Sequence, residues 1–309
     1  MAQTHPLHFL VIKHGALGDI IQGLDAYAAL RQSFPDAHIT LLTSRPFAPL
    51  MAQMPYFDEI IIDKRAPIWQ LSALYSLRNL FQRPFDYIID LQCSKRTSRY
   101  FQWFVKQPIK WVGTAAGCSH PFPDFTGVNN AERMRYAMRM VGAKDIEANL
   151  SFLSADTSLA PPQPYAVLMP GCSPAKPSKR WPTAAFQEIA QLLAEEGITP
   201  VLIGTESERA LCDEIGKAVP QAYNLCNKTS LAELASLCAS AAVNLGNDSG
   251  PTFLAAKTAA PTLMVMGADT DPTMSAPTGA AARFIKVDKL SALPPETVFQ
   301  NLKEMWRKA

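Results

Sequence analysis

Residues 10–21 read LVIKHGALGDII, and this stretch decides how the chain begins to fold. The apolar run at its start is typical of a buried parallel strand, and the segment after Asp19 has helical periodicity. Gly15 and Gly18 lie in the turn between strand and helix, where the missing Cβ lets a substrate approach the backbone. The first-turn amides of the helix face that substrate with a partial positive charge. The stretch therefore predicts a strand, a glycine turn and a helix, with Asp19 at the mouth of a cleft.

Asp19 has two interpretations at this point. An acid at the start of a helix stabilises it as a cap, and a carboxylate at the mouth of a cleft also serves in proton transfer. The glycine spacing differs from Gly-x-Gly-x-x-Gly, so a dinucleotide-binding fingerprint is not indicated. The spacing alone leaves cap and catalyst both open.

The length and composition indicate a globular chain with two domains. A chain of 309 residues exceeds the usual size of one hydrophobic core. Hydrophobic residues make up 48% and charged residues 18%, which is typical of a folded protein. The six cysteines are far apart and form no Cys-x-x-Cys pair, so neither a zinc site nor a disulfide framework is indicated. No apolar run approaches the length of a membrane span, and we expect a cytoplasmic protein.

The first half of the chain alternates predicted strands with predicted helices, which favours a parallel sheet covered by helices on both faces. One continuous helix is predicted over 19–34, and another over 131–141 places Arg133, Arg135 and Arg139 on the surface. The predicted strands after the first are His38–Thr43, Glu59–Asp63, Tyr87–Gln92 and Lys110–Gly113.

The stretch 154–164 contains three prolines and predicts a linker. From Tyr165 the alternation of strands and helices starts again, with predicted strands at 165–169, 201–203, 243–245 and 262–266. We therefore predict an α/β protein of two Rossmann-like doubly wound domains, covering 1–155 and 165–293, that face each other across a cleft. A final helix at 294–309 is expected to cross back to the first domain. Ligands bind such sheets beyond the carboxyl ends of the strands.

Three loops of the second half carry candidate binding residues. Lys179 and Arg180 lie in a proline-rich loop just before a helix, where charge and helix dipole attract phosphate; solvated bases are the alternative. Asp248, Ser249 and Gly250 follow a strand, and the amides of Ser249 and Gly250 suit a diphosphate, whereas Asp248 is expected to fix the turn.

Glu208 follows another predicted strand and admits two roles. An acid at this place in a nucleotide-binding fold accepts hydrogen bonds from ribose hydroxyls. Thr205 and Glu208 also have the spacing of a capping box, which would make Glu208 structural.

Basic residues are concentrated between Lys64 and Lys110. Nine Lys and Arg residues face only two acids there, although the whole chain carries a net charge of only +2. A field of this sign favours an anionic partner, and a solvated helix surface is the alternative interpretation.

The ordered set of loop motifs resembles the ADP-heptose heptosyltransferases of lipopolysaccharide core assembly, glycosyltransferase family nine, over residues 9–308. The motifs are Lys-x-x-Ala-Leu-Gly-Asp-Ile-Ile at 13–21, Asp-Leu-Gln at 90–92 followed by Arg96, Pro-Gly to Lys-Arg-Trp-Pro at 170–182, Lys-Thr-Ser-Leu at 228–231 and Asn-Asp-Ser-Gly at 247–250. The resemblance implies a GT-B enzyme that transfers heptose from ADP-heptose to an inner-core sugar hydroxyl, with inversion of configuration and without a metal.

The resemblance also implies a role for each matching position. Asp19 matches the family's general base, and Arg96 falls at a basic position on the acceptor side. We also assign Gly18, Lys64 and Lys95 to the acceptor side, since the basic stretch between Lys64 and Lys110 suits an anionic acceptor. Donor binding is assigned to Lys179 and Arg180 at the diphosphate, Glu208 at the ribose, Thr229 at the adenosine, and Asp248, Ser249 and Gly250 in the turn beneath the diphosphate. The chain departs from the family by having Gln22 and Phe253 where histidines are usual.

The partners implied by the resemblance are an ADP-sugar donor and an anionic lipopolysaccharide-core acceptor at the membrane surface. We expect no cofactor, no metal and no nucleic acid, and peripheral association at the inner face of the inner membrane. The sequence leaves open the oligomeric state, the acceptor sugar and the exact donor. The alternative functions are a relative that uses another nucleotide sugar or glycan acceptor, and a non-catalytic nucleotide-sugar-binding module; a Rossmann oxidoreductase is disfavoured by the glycine spacing.

Overall fold

The computed structural model describes residues 5–67, 69–106, 108–153, 155 and 158–307. The chain forms two compact units that divide between Ala148 and Asn149. This division precedes the stretch 154–164 that the sequence predicts as a linker, and residues 154, 156 and 157 of that stretch lie outside the described part. Each unit contains a six-stranded sheet in which all the paired strands are parallel.

The first unit has the strand order β3-β2-β1-β4-β5-β6. Its strands are β1 His8–Ile12, β2 His38–Ser44, β3 Glu59–Asp63, β4 Tyr87–Asp90, β5 Lys110–Gly113 and β6 His120–Pro121. Its α-helices are α1 Leu17–Gln22, α2 Leu24–Ser33, α3 Ala48–Met51, α4 Leu71–Phe81, α5 Lys95–Phe104 and α6 Asn130–Met140.

The core of the first unit is built on the apolar run that the sequence places first. Phe9, Leu10, Val11 and Ile12 are all completely buried in β1, as expected for a central parallel strand covered on both faces. The single helix predicted over 19–34 is wrong, because Gly23 separates α1 from α2. A Cβ on Gly23 would lie 2.4 Å from the hydroxyl oxygen of Tyr27, so this helix break keeps space for a buried aromatic side chain.

The second unit has the strand order β12-β11-β10-β7-β8-β9. Its strands are β7 Tyr165–Met169, β8 Thr199–Leu202, β9 Tyr223–Asn224, β10 Val243–Asn247, β11 Thr262–Met266 and β12 Ala282–Lys286. Its α-helices are α7 Thr183–Glu195, α8 Arg209–Ala218, α9 Leu231–Ser240, α10 Gly250–Ala256, α11 Pro272–Ser275 and α12 Pro295–Trp306.

The final helix, α12, packs against α7 and β10 of the second unit. Val298 and Leu302 are completely buried in the core of that unit, and Lys303 forms an ion pair with Glu196. A return of this helix to the first domain stays a prediction. None of the helices in the described residues is both long enough and apolar enough to cross a bilayer.

Three edge strands were missed by the sequence analysis. They are β6, β9 and β12, and each lies at the end of its sheet. The first two contain only two residues each, and β12 is only partly buried, with Phe284 exposed. An edge strand that packs on few neighbours needs no apolar run, so the signal that identified the central strands is absent there.

Candidate functional site

The turn after β1 places the first candidate residues at the carboxyl end of the sheet. Gly15 has a φ of +138°, a conformation that other residues rarely adopt. A Cβ at this position would also lie 2.4 Å from the ring of Phe47. Backbone conformation and packing therefore both require glycine here, which fixes the path of the chain into α1.

Asp19 is the third residue of α1, and both of its carboxylate oxygens accept hydrogen bonds from uncharged groups. The backbone N–H of Ala16 donates to Oδ2 over 3.1 Å, which is the capping interaction considered from the sequence. The side-chain amide of Asn130, at the start of α6, donates to Oδ1 over 3.1 Å. Each carboxylate oxygen has two acceptor positions. Asp19 is half-buried. Because its hydrogen bond to Ala16 uses only one acceptor position, the carboxylate can still accept a proton or a hydrogen bond from a hydroxyl group.

Lys13 is the residue that brings positive charge close to Asp19. Its side chain is buried at the end of β1, and the ammonium donates to the carbonyl of Leu91 over 3.3 Å. Burial lowers the pKa of Lys13, and the negative charge of Asp19 opposes that shift only in part. Lys13 is the first residue of the motif at 13–21, but the sequence alone predicts no role for it.

A second buried network lies beside these residues at the ends of β3 and β4. His14 Nε2 lies 3.1 Å from Asp63 Oδ2, the Tyr100 hydroxyl donates to the same oxygen over 2.5 Å, and Arg96 Nε lies 3.6 Å away. Burial raises the pKa of Asp63, but hydrogen bonds from His14 and Tyr100 outweigh it and lower the pKa to about 2. Asp63 and Tyr100 were missed because only the fold brings their distant positions together.

The acceptor-side residues predicted from the sequence differ in their surroundings. Gly18 lies in the first turn of α1, and Lys64 and Lys95 are exposed. The guanidinium of Arg96 uses part of its donor capacity within the unit, because it donates to the Tyr100 hydroxyl and, over 3.0 Å, to the carbonyl of Ala66.

Of the three arginines of α6 that were expected at the surface, Arg139 is exposed, whereas Arg133 is half-buried, as is Arg135. The guanidinium of Arg135 pairs with Asp25, whose side chain is almost completely buried. Arg139, by contrast, pairs with Glu132 and Asp145 at the exterior. Arg133 lies over the ring of Phe125, with its guanidinium carbon 5.4 Å from the ring centroid.

In the second unit, Asn247 joins the two loops that the sequence singled out. Its side-chain oxygen accepts from the backbone N–H of Trp181 over 2.9 Å, and its amide donates to the carbonyl of Pro170 over 2.7 Å. Trp181 is itself completely buried and donates through its indole N–H to the carbonyl of Leu293 over 3.2 Å. These contacts fix the loop that carries Lys179 beside the turn after β10.

Lys179 and Asp248 form an ion pair within this arrangement. Thr270 donates its hydroxyl to the same carboxylate oxygen over 2.6 Å. The Lys179 side chain keeps 16% of its surface exposed, whereas Asp248 keeps 6%. Asp248 thus pairs with the ammonium of Lys179 while part of the lysine side chain stays exposed. The expectation that Asp248 fixes the turn stays a prediction.

Ser249 and Gly250 begin the short helix α10. The Ser249 hydroxyl makes no cap bond and lies 3.1 Å from the hydroxyl of Thr252, which donates in turn to the carbonyl of Asn247 over 2.7 Å. Since no side chain caps the start of α10, its first-turn amides keep their donor capacity for a ligand.

Glu208 has the capping-box geometry that the sequence allowed. It accepts from the backbone N–H of Thr205 over 2.9 Å and from the hydroxyl of Ser207 over 2.7 Å. Burial raises the pKa of Glu208, but these hydrogen bonds outweigh it and hold the pKa below its usual value. A Cβ on Gly171 would lie 2.4 Å from the Glu208 side chain, so this acid packs against the first candidate loop.

The structure also shows the surroundings of Arg180 and Thr229, the remaining residues assigned to donor binding. Arg180 is half-buried, and its positive charge contributes to the lowered pKa of Glu208. Thr229 is half-buried in the loop that precedes α9. The adenosine and ribose contacts assigned to Thr229 and Glu208 stay predictions.

Two parallel sheets of this strand order, each with candidate residues at the carboxyl ends of its strands, define a protein of the double Rossmann, GT-B class. The sequence profile of glycosyltransferase family 9 (heptosyltransferase) matches residues 135–304. The chain belongs to this family.

Individual relatives agree with this assignment. The lipopolysaccharide heptosyltransferase 2 of Salmonella typhimurium is 31% identical to the chain, with 91% of this chain and 88% of that protein covered. The structure of E. coli ADP-heptose lipopolysaccharide heptosyltransferase II has a TM-score of 0.77 at 23% identity and covers 98% of this chain and 99% of that one. The E. coli heptosyltransferase WaaC with ADP has a TM-score of 0.79 at 20% identity, covering 97% and 100%. The two structures establish the shared fold.

Proposed function

We propose that this glycosyltransferase moves heptose from ADP-heptose to a sugar hydroxyl of the inner core of lipopolysaccharide, with inversion at the anomeric carbon. Family membership and the names of the relatives support the donor and the acceptor. The observation that carries the chemistry is Asp19, a half-buried carboxylate in the first turn of α1. Within the described residues its hydrogen bonds come from uncharged donors.

In the proposed reaction the acceptor hydroxyl oxygen attacks the anomeric carbon of the donor. The new glycosidic bond forms as the bond from that carbon to the diphosphate oxygen breaks, and ADP leaves with the bonding electrons. Asp19 takes the proton of the acceptor hydroxyl. General-base assistance of this kind contributes about 10²- to 10⁴-fold to the rate.

Residues of the second unit stabilise the negative charge of the leaving ADP. Lys179, held by Asp248, binds the diphosphate, and the first-turn amides at Ser249 and Gly250 donate to its oxygens. Arg180 adds positive charge, while Glu208 and Thr229 contact the ribose and the adenosine. No metal takes part in this proposal, since the lysine and the amides neutralise the diphosphate.

The acceptor is bound through Gly18, Lys64, Lys95 and Arg96. An inner-core acceptor carries carboxylates and phosphates, which match the excess of positive charge between Lys64 and Lys110. Because that acceptor is anchored in a lipid, the enzyme works in the cytoplasm at the inner face of the membrane.

The direct test is incubation of the purified protein with ADP-heptose and a heptose-free inner-core acceptor. We expect release of ADP and a product whose anomeric configuration, determined by NMR, is opposite to that of the donor. Retention of configuration, or transfer only from another nucleotide sugar, would contradict the proposal.

Nucleotide preference gives a second test that needs no acceptor. A ligand present at 100 times its Kd stabilises the folded protein by about 2.7 kcal/mol. We therefore expect ADP to raise the melting temperature more than UDP, GDP or NAD at equal concentration. A larger shift with UDP or GDP would indicate another nucleotide sugar, and binding without turnover would indicate a non-catalytic module.

The assignment of the acceptor side is tested by Lys95→Glu. Because Lys95 is exposed, we expect a higher KM for the acceptor and unchanged ADP binding. Lys289→Glu, an equally exposed charge reversal in the second unit, serves as the control. A loss of ADP affinity in the Lys95 variant would contradict the division of acceptor and donor binding between the units.

A further inference from the structure

An exposed apolar surface precedes and begins α4 in the first unit. Trp69 is 78% exposed, Leu71 76% and Tyr75 65%. Leu71 and Tyr75 are four residues apart and share one face of the helix, and Trp69 immediately precedes it. Single exposed apolar residues are ordinary on protein surfaces, whereas contiguous patches mark interaction sites. We call these three residues the α4 patch.

The patch is separate from the hydrophobic core that holds α4 in place. Leu77, Leu80 and Phe81 of the same helix are buried and pack with Trp111 in the core of the first unit. The helix is therefore anchored without the α4 patch, and folding of the unit does not explain why large apolar side chains face solvent there.

Positive charge is concentrated in the part of the chain that contains the α4 patch. In the described part of the chain, six exposed bases on α4, on α5 and in the loops beside them have no carboxylate within ion-pair distance. They are Lys64, Arg65, Arg78, Lys95, Arg99 and Lys106. Helix α5 packs against α4, so the bases of α5 belong to a neighbouring helix of the same unit.

Few acids oppose this charge. The acids between Lys64 and Lys110 are Asp86 and Asp90. Asp90 is completely buried, and Asp86 accepts the backbone N–H of His8 over 2.8 Å. The segment 64–106 therefore combines the three exposed apolar side chains of the α4 patch with an excess of exposed positive charge.

We propose that the α4 patch and its six bases dock onto the surface of an anionic lipid bilayer. Trp and Tyr favour the interface between lipid and water, and clustered bases bind anionic head groups. A second copy of the chain fits poorly, because a symmetric contact would bring the same bases against each other. The inference rests on the proposed function for its setting, since a lipid-anchored acceptor lies at such a surface.

The test is sedimentation of the full-length protein with phosphatidylcholine vesicles that contain or lack phosphatidylglycerol. We expect binding at least about tenfold tighter to the anionic vesicles, weakened by high salt, because each base near the surface contributes about fivefold. The triple variant Trp69→Ser/Leu71→Ser/Tyr75→Ser should lose at least about tenfold of this affinity.

Matched controls separate the patch from general exposure of aromatic residues. The double variant Tyr223→Ser/Phe284→Ser removes two exposed aromatic side chains from the second unit and should bind like the wild type. Vesicles of brominated lipid should quench part of the tryptophan fluorescence, and Trp69→Phe should remove that part. Equal binding to both kinds of vesicle, or wild-type binding by the triple variant, would overturn the proposal, as would failure to bind while an acidic protein partner is captured.

The outcome is independent of the chemistry. Vesicle binding is measured without donor or acceptor, so Asp19→Asn should sediment like the wild type even if it is inactive. The triple variant should keep its turnover on a soluble, delipidated acceptor and lose turnover on an acceptor embedded in vesicles. Failure of transfer together with intact vesicle binding would refute the proposed function alone.

Discussion

Asp19 and Asp248 both lie between a central parallel strand and the helix that follows it, yet their partners differ. Asp19 is in the first turn of α1, which follows β1, and Asp248 directly follows β10 and precedes α10. Among the described residues, Asp19 accepts hydrogen bonds from a backbone N–H and an asparagine amide, whereas Asp248 is paired with the ammonium of Lys179. We therefore predict that Asp248 positions Lys179, whereas Asp19, which is held by neutral groups, is available for proton transfer. The comparison predicts that the partner of a carboxylate decides its role.

The largest effect expected from this comparison is in Asp19→Asn. The amide keeps the size of the side chain and removes the proton acceptor, so we expect kcat to fall about 10²- to 10⁴-fold. ADP binding, measured by calorimetry, should be unchanged. Asp36→Asn makes the same change at an exposed site of the first unit and should be fully active. Wild-type turnover in Asp19→Asn would mean that this carboxylate only caps α1.

The next effect is expected at the ion pair of the second unit. Lys179→Met removes a charge-assisted contact to the diphosphate and should weaken ADP binding about 10- to 100-fold. Asp248→Asn should weaken ADP binding less, since the ammonium remains but is no longer held. Lys176→Met changes an exposed lysine of the same loop and serves as the control. Full ADP affinity in Lys179→Met would show that Lys179 does not bind the diphosphate.

A second pair of carboxylates, Asp63 and Asp90, differs in the direction of the pKa shift, and here pH is the variable. The pKa of Asp63 is lowered to about 2, so it contributes about 2 kcal/mol of stability above pH 4 that is lost as the pH falls toward 2. Asp90 is completely buried and accepts backbone N–H groups of Gln92 and Cys93, and burial raises its pKa to about 6. Protonation of Asp90 therefore adds stability as the pH falls from about 6 to about 4.

Calorimetric melting between pH 7 and pH 3 checks these opposite signs. The stability advantage of the wild type over Asp63→Asn should be constant down to about pH 4 and then shrink. Relative to Asp90→Asn, the wild type should instead gain stability below about pH 6. Parallel profiles for the two variants would contradict the opposite pKa shifts of Asp63 and Asp90.

The smallest effect is expected for Asn130→Ala, which sharpens the description of Asp19 as a positioned base. Loss of one neutral hydrogen bond costs about 1 kcal/mol, or about fivefold in kcat, with an unchanged acceptor KM. Asn129→Ala removes the N-cap of the same helix and leaves the Asp19 contact in place. If both variants lower kcat equally, the effect comes from α6 as a whole. Recovery of kcat in Asn130→Gln would support positioning.

The sequence by itself determined the class of fold and the location of the candidate residues along the chain. Apolar runs identified the central strands, including β1, β7 and β10, because a strand buried on both faces must be continuously apolar. The prediction of an α/β protein with two Rossmann-like sheets is confirmed. The resemblance to family nine is also confirmed. The roles assigned to individual site residues stay predictions.

Only the tertiary structure decided which side chains meet. Asn130 is distant in sequence from Asp19, and no periodicity links Asp63 to His14 and Tyr100, so these contacts arise from the packing of separate helices and strands. The edge strands also required the fold, since their residues gain little burial and carry no apolar pattern. The sequence alone predicts strand burial and motif spacing, because both depend on residues within a single segment. Pairing of side chains depends on distances between segments, and these are set when the sheet and its helices assemble.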